Sequence, residues 1–356
     1  MRFYDALQLD AAALKSQMAN AGTKKEKRWY LKALLIKDVL LVTFAVVFIS
    51  ICSGLFGSEN SSMAVVIFCI LLSIRFVDFD YRMRDSLINL GLVFLILLLS
   101  PLLTQLVSPW MGFLVNLFSL LCLILMTCEK PEMGNAGLYL FGYIFLAGNM
   151  VSGQIFWKRA GLTFFGYLIC GGILYFKHRQ KHYQKSFQHV IRAFRLSEKK
   201  CQWQLQLALG ISLLFLLGSL CHLDRFIWVG FACSSLLSPY PNQLGERAID
   251  RAMGAVLGSI LFWLVYQITP PSLLFLFGPA AGLCLGICGS YRYKTIFNCF
   301  GALMLASSIY GLNGAVVLRV VNNLAGIVFG YVFFQCFQKV FVKRFLMKKS
   351  VSAQEN

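Results

Sequence analysis

Residues 63–89, MAVVIFCILLSIRFVDFDYRMRDSLIN, and residues 228–254, WVGFACSSLLSPYPNQLGERAIDRAMG, decide how this chain folds. Each is a short apolar run, then a charged corner, then the start of a longer apolar span. They lie 165 residues apart in register: Met63 to Arg82 and Trp228 to Arg247 are both nineteen steps, so Asp85 falls opposite Asp250, Ser86 opposite Arg251 and Asn89 opposite Gly254. That register predicts a duplicated domain. Both runs are short for a helix that crosses lipid, and interrupted segments at matching positions of two repeats point to a transport site.

The rest of the chain agrees. Of 356 residues 58% are apolar and only 13% charged, with a mean hydropathy of +0.69, more hydrocarbon than one soluble core of this size can absorb. A crossing helix needs about 20 apolar residues, and windows of that length fall at 33–54, 62–75, 87–107, 111–127, 136–152, 160–176, 204–222, 226–239, 252–268, 271–288, 296–312 and 319–338. The expected fold is therefore all-α, a polytopic membrane helix bundle of about twelve spans in two parallel six-helix repeats. The expected segments are a cytoplasmic amphipathic stretch 1–30, a first repeat 31–176, a basic linker 177–203, a second repeat 204–340 and a basic tail 341–356.

Charge sets the orientation. With the N-terminus inside, the inward segments hold 29 of the 33 Lys and Arg residues, leaving Lys158, Arg159, Arg225 and Arg319 outside them. The positive-inside bias then places both termini in the cytoplasm of a multi-pass plasma-membrane protein. The net charge of +18 sits in tracts at membrane edges such as Lys24-Lys25-Glu26-Lys27-Arg28, a pattern that suits anionic membrane lipid and lacks any nucleic-acid-binding motif. The first thirty residues show no cleavable signal. Phe3, Leu7, Ala11, Leu14 and Met18 recur there at helical spacing, as in a helix lying on the membrane or the domain.

Twelve cysteines are dispersed along the apolar spans as small packing residues. Cys284 and Cys288 are one turn apart but have no His, Asp or Glu beside them, so neither a metal nor another cofactor is expected. His178, His182, His189 and His222 read as surface residues. Asp78 and Asp80 form a close acidic pair read as a solvated turn. Paired catalytic carboxylates, a Walker loop, Rossmann glycines and a nucleophile elbow are all missing, which argues against an enzyme. Gly278, Gly282 and Gly286 form a ladder for close helix packing, either within the chain or between copies in a homo-oligomer.

The second corner is the most specific stretch. Pro239-Tyr240-Pro241 ends a helix, and Gly245-Glu246-Arg247-Ala248-Ile249-Asp250-Arg251 leads into Gly254 and Gly258. Arg247 and Arg251 share a helical face, with Asp250 spaced to reach Arg247 and Glu246 spaced to reach Asp250. This arrangement resembles the Arg-x-x-x-Arg-x-x-Gly-x-x-x-Gly signature of the fusaric acid resistance or aromatic acid exporter family. A second signature of that family, at the start of the last span, matches Arg319, Asn323, Gly326 and Gly330, with a first-half counterpart in Arg159, Thr163 and Gly166. Tyr291-Arg292-Tyr293-Lys294 looks like the family's aromatic-basic turn. Larger relatives carry a soluble domain between the halves, so this chain resembles a short form.

The resemblance implies export of small aromatic carboxylates, and the residues suggest how an anion would be met. A carboxylate with a ring needs a guanidinium for its charge and an aromatic or apolar wall. Arg247 and Arg251 would receive it on the cytoplasmic side, Trp228 and Tyr240 would contact the ring, and Arg319, with Asn323 beside it and Arg159 as its repeat counterpart, would meet it further out. The same arginines would serve equally well as snorkelling or acid-paired helix ends. Asp250, Glu246 and Asp85 are the candidates for proton coupling. An anion channel of similar architecture and a non-catalytic envelope-assembly partner are the other readings.

Overall fold

The structure, a computed structural model, describes residues 3–9, 11–181, 185–186 and 194–342. Most of the basic tail and the linker residues 182–184 and 187–193, which include His182 and His189, lie outside the described residues. No strand occurs among the described residues. The helices are α1 (Phe3–Gln8), α2 (Ala11–Asn20), α3 (Lys24–Phe56), α4 (Ser61–Ile74), α5 (Met83–Gln105), α6 (Pro109–Thr127), α7 (Asn135–Ala147), α8 (Gly153–His178), α9 (Lys199–Cys221), α10 (Ile227–Leu237), α11 (Leu244–Ile268), α12 (Phe277–Ile287) and α13 (Tyr291–Phe337).

Local chemistry explains where several of these begin and end. A reciprocal capping box opens α3: the Thr23 amide donates to Glu26 Oε2 at 3.3 Å and the Glu26 amide to Thr23 Oγ1 at 3.2 Å. Proline at the first helical position opens α6 at Pro109. The long α13 is two helices joined at Gly311, whose φ of 70° and ψ of 167° are open essentially to glycine alone.

Helix occurs at each of the twelve sequence windows, and the chain is a polytopic helical bundle. Seven helices among the described residues are long and apolar enough to cross a membrane: α3, α5, α6, α8, α9, α11 and α13. The apolar stretches at 58–74, 135–147, 227–237 and 271–287 are shorter. Two of them, containing α4 and α10, are the short apolar runs of the stretches 63–89 and 228–254.

The chain divides into two compact units. The first comprises the residues up to Phe48 and Gly245–Leu324; the second comprises Ile49–Leu244 and the residues from Ala325 onward. In the first, α1 and α2 pack on α3 through Ala6, Leu14, Ala33 and Leu34, with Trp29, Tyr30 and Ile287 against them. The N-terminal segment is thus two packing helices. Gly254 and Gly258 bring α11 against the start of α13 at Thr295 and Ile296, and Phe262, Phe277 and Phe300 interlock α11, α12 and α13 edge to face. Of the glycine ladder, Gly282 meets Val42 and Gly286 meets Asp38, so α12 uses it against α3 of the same chain.

In the second unit α9 packs on α6, α5 on α6 and α8, α4 on α8, and α10 on α7. Gly166 of α8 faces Ile67 of α4, and Gly326 of α13 faces Val229 and Ala232 of α10. The last helix of each sequence half therefore approaches the short second helix of that half at a glycine.

Candidate functional site

Guanidinium groups gather in the first unit. Arg251, on α11, is buried, and its Nε donates to Asn323 Oδ1 at 3.1 Å while Nη1 donates to the Tyr291 hydroxyl at 3.4 Å. Asn323 is fully buried and its Nδ2 donates to the Arg319 carbonyl at 2.8 Å, so one amide ties Arg251 to the backbone of the neighbouring arginine. Arg319 is 4% exposed, lies beside Cys299 and is within electrostatic reach of Arg251. Arg247, one turn before Arg251, lies over the Tyr291 ring, 4.6 Å from its centroid. Tyr291 thus presents its face to one arginine and its hydroxyl to the other.

The acids nearby in sequence do not neutralise Arg251. Asp250 accepts from Arg292 Nε at 2.8 Å and lies 2.7 Å from its Nη2. The local pairing expected between Asp250 and Arg247 is replaced by this contact, made across 42 positions. Glu246 is exposed. Among the described residues no carboxylate pairs with Arg251. A buried guanidinium held by an amide oxygen and a phenol keeps its positive charge uncompensated, and an anion is the group that would complete it.

The remaining candidates sit in the second unit. Arg159, 3% exposed, donates Nε to Asn60 Oδ1 at 2.9 Å, Nη1 to the Asn149 carbonyl at 2.8 Å, and Nη2 to the Glu59 carbonyl and Ser62 Oγ at 3.1 Å each. Trp228 is buried on α10. Tyr240 packs edge-on to Trp203, 5.3 Å between centroids, and the Trp203 indole donates to the Leu237 carbonyl at 3.1 Å. Asp85, the third proton-coupling candidate, is half-buried.

Arg319 was expected as a separate, outer contact, yet it shares a cluster with Arg251 and Asn323. Tyr291 belongs by sequence only to an aromatic-basic turn, and in the structure it contacts both arginines of α11. Its aromatic-basic neighbourhood was the one signal available in the sequence.

The first corner is an ion-pair hub. Asp78 lies 2.8 Å from Lys181 Nζ and 3.4 Å from His178 Nδ1, Asp80 lies 2.7 Å from Lys130 and 3.3 Å from Lys185, and Glu129 takes Lys185 and Lys200 at 3.1 and 3.0 Å. Asp78 and Asp80 are buried, which corrects their reading as a solvated turn. His178 is not at the surface either: it is 4% exposed and its Nε2 lies 2.8 Å from the Ile74 carbonyl. The hydrogen bond to Glu129 holds the Lys185 ammonium above the usual lysine range, and burial, with Glu129 adding to it, pushes the Tyr81 phenol up.

A cavity of about 370 Å³ opens in the second unit, lined by Phe113, Phe215 and Phe226 together with Thr104, Asn116 and Ser219. None of the arginines above lines it.

Helices of this length and polarity, with a charge cluster kept inside the bundle, define a multi-pass membrane protein. Residues 211–333 match the family model described as fusaric acid resistance protein-like. The match begins within α9 and ends within α13, so it contains Arg247, Arg251, Arg319 and Asn323 and stops short of the first half. No curated protein and no solved structure matches the chain.

Proposed function

We propose that the protein is a secondary transporter that exports small carboxylate anions, aromatic ones foremost, across the plasma membrane, with both termini in the cytoplasm. One observation carries this reading: Arg251 is buried on neutral partners within reach of Arg319, in the part of the chain that matches the fusaric acid resistance protein-like family model. Charge retained at such depth tends to serve a pathway or a ligand. In this account Arg251 receives the carboxylate, Arg319 and Asn323 hold it beside α13, and Arg247 on Tyr291 forms the entry. Arg159, the repeat-related arginine of the other half, is assigned to holding that half together on its neutral acceptors. Division into two parallel six-helix repeats, 31–176 and 204–340, with a linker 177–203, is part of the proposal.

An inside-negative potential favours the exit of a monoanion by about 2.3 kcal/mol per 100 mV. Binding strength must therefore be modest enough to release the substrate outside, which suits two hydrogen-bonded guanidinium groups and no metal. Uptake of labelled 4-hydroxybenzoate into inverted vesicles tests the reading. Native vesicles should accumulate it, and Arg251→Ala vesicles with equal protein should not. Equal uptake by both removes the cluster from the path, and large voltage-gated currents with no concentrative uptake favour a channel.

A further inference from the structure

Asp38 lies in α3, the first long apolar helix, and was not among the acids singled out by pattern. Its side chain is 3% exposed and its Oδ1 finds no hydrogen-bond partner. No ion pair to Asp38 occurs among the described residues. The carboxyl occupies the space that a Cβ at Gly286 would take, so α12 admits it only because glycine stands there. One turn further along α3, Val42 lies in van der Waals contact with the Gly282 position, so the α3–α12 seam continues past the acid.

The groups facing it are few. Lys37, next on the same helix, directs its ammonium to the Leu9 carbonyl and contributes an attractive charge. Cys284 of α12 and Cys288 just beyond its end lie within electrostatic range of Asp38, and Lys15 of α2 and Lys294 of α13 act on Cys288. A bare carboxylate without partners in such a setting costs far more than its packing returns, so burial is linked to the uptake of a proton. In a membrane-spanning helix an acid of this kind marks a proton path or a substrate path more often than a packing role.

We propose that Asp38 is the proton-binding site that couples this transporter to the pH gradient. The proton adds to the carboxylate oxygen from water on one side and is returned to water on the other, so an O–H bond is the only bond made and broken. As the neutral acid, the side chain fits the Gly286 slot and α3 stays docked on α12. As the carboxylate it is expelled from the slot, and α3 separates from α12 until the oxygens reach water. The purpose given to this cycle rests on the export reading; the protonation itself does not.

Two measurements on purified protein in liposomes keep the two ideas apart. With no gradients, native protein and Asp38→Asn should both exchange labelled for unlabelled 4-hydroxybenzoate, whereas with a pH gradient at clamped zero potential only native protein should accumulate it. Accumulation by Asp38→Asn at the native level overturns the proposal and leaves the arginine site untouched. Infrared spectra provide a readout that needs no substrate. A protonated-carboxyl stretch that grows in as the pH is lowered from neutral to mildly acidic and is missing from Asp38→Asn supports the assignment even if no anion is moved, and its absence from native protein across that range refutes it. Asp38→Glu covers the case in which the asparagine variant does not insert: a displaced pH profile of accumulation is expected, and an unchanged one counts against Asp38.

Discussion

Arg159 and Arg319, 160 residues apart, occupy the same place in an Arg-x-x-x-Thr/Asn-x-x-Gly motif of the two sequence halves, and their surroundings differ in one decisive respect. Each is followed four residues later by a side chain that bonds back to its carbonyl, Thr163 at 2.7 Å and Asn323 at 2.8 Å, and seven residues later by a glycine against a short helix. The Thr163 hydroxyl makes no other hydrogen bond among the described residues. Asn323 has a second group, and its Oδ1 faces Arg251. At the position equivalent to Arg251 the first half has Ser86, whose hydroxyl donates to the Tyr81 carbonyl. The first half therefore closes its arginine into a network of neutral acceptors, while the second brings a further guanidinium to the same place. Threonine for asparagine and serine for arginine separate a structural arginine from a candidate anion site.

The break before the last helix differs in the same direction. The first half separates α7 from α8 with residues 148–152, and the second passes through Gly311 alone. A helix interrupted at one residue leaves fewer backbone groups to satisfy and places its two pieces close together, the form that interrupted helices take beside transport sites.

The comparison can be broken most forcefully at Arg159. Replacing it with alanine strands acceptors on Asn60, Asn149, Glu59 and Ser62, and a destabilisation of about 3 kcal/mol or more is expected from the loss of several buried charged hydrogen bonds. Thermal unfolding in detergent should show it as a much lower midpoint, with little monodisperse protein recovered. Arg251→Ala should do the opposite: the unfolding midpoint stays near native while substrate affinity falls about ten- to hundredfold, the worth of one or two charged hydrogen bonds. If the two variants exchange these phenotypes, the assignment of structure to one half and binding to the other is wrong.

Smaller changes sharpen the contrast. Asn323→Thr copies the first half into the second, keeping the bond to the Arg319 carbonyl and removing the acceptor for Arg251. About 1 kcal/mol of substrate binding should go, a weakening of roughly fivefold, read as a raised half-saturation in vesicle uptake. Tyr291→Phe retains the ring under Arg247 and deletes only the hydroxyl at 3.4 Å from Arg251. Its long geometry predicts the weakest effect, about 0.5 kcal/mol and a twofold change in the same assay.

The helical architecture was legible because apolar windows and proline breaks act over short range: each window holds a helix, and Pro239 and Pro241 follow the end of α10, whereas the break at Gly311 falls inside the window 296–312. The site was legible in part. Arg251, Arg319 and Asn323 stood out as arginine-containing motifs at repeat-related positions, and their convergence is a matter of packing that α11 and α13 achieve through Gly254 and Gly258. Pairings across long separations were not readable from spacing. Asp250 had a plausible partner three residues away and found Arg292 instead. Asp78 and Asp80 resembled a turn until Lys130, Lys181 and Lys185 arrived from distant segments. Asp38 offered no pattern at all, since one acid beside one lysine at the edge of an apolar run reads as a helix start, and only the glycine opposite reveals its burial.

Equilibrium binding of labelled 4-hydroxybenzoate to detergent-purified protein, set beside its uncharged amide analogue and the Arg251→Gln variant, tests the central claim most directly. Saturable binding of the acid by native protein, displaced by unlabelled acid but not by the amide and lost in Arg251→Gln at an unchanged unfolding midpoint, is the expected result. Equal affinity of native and Arg251→Gln protein for the acid, or equal competition by acid and amide, would contradict the account.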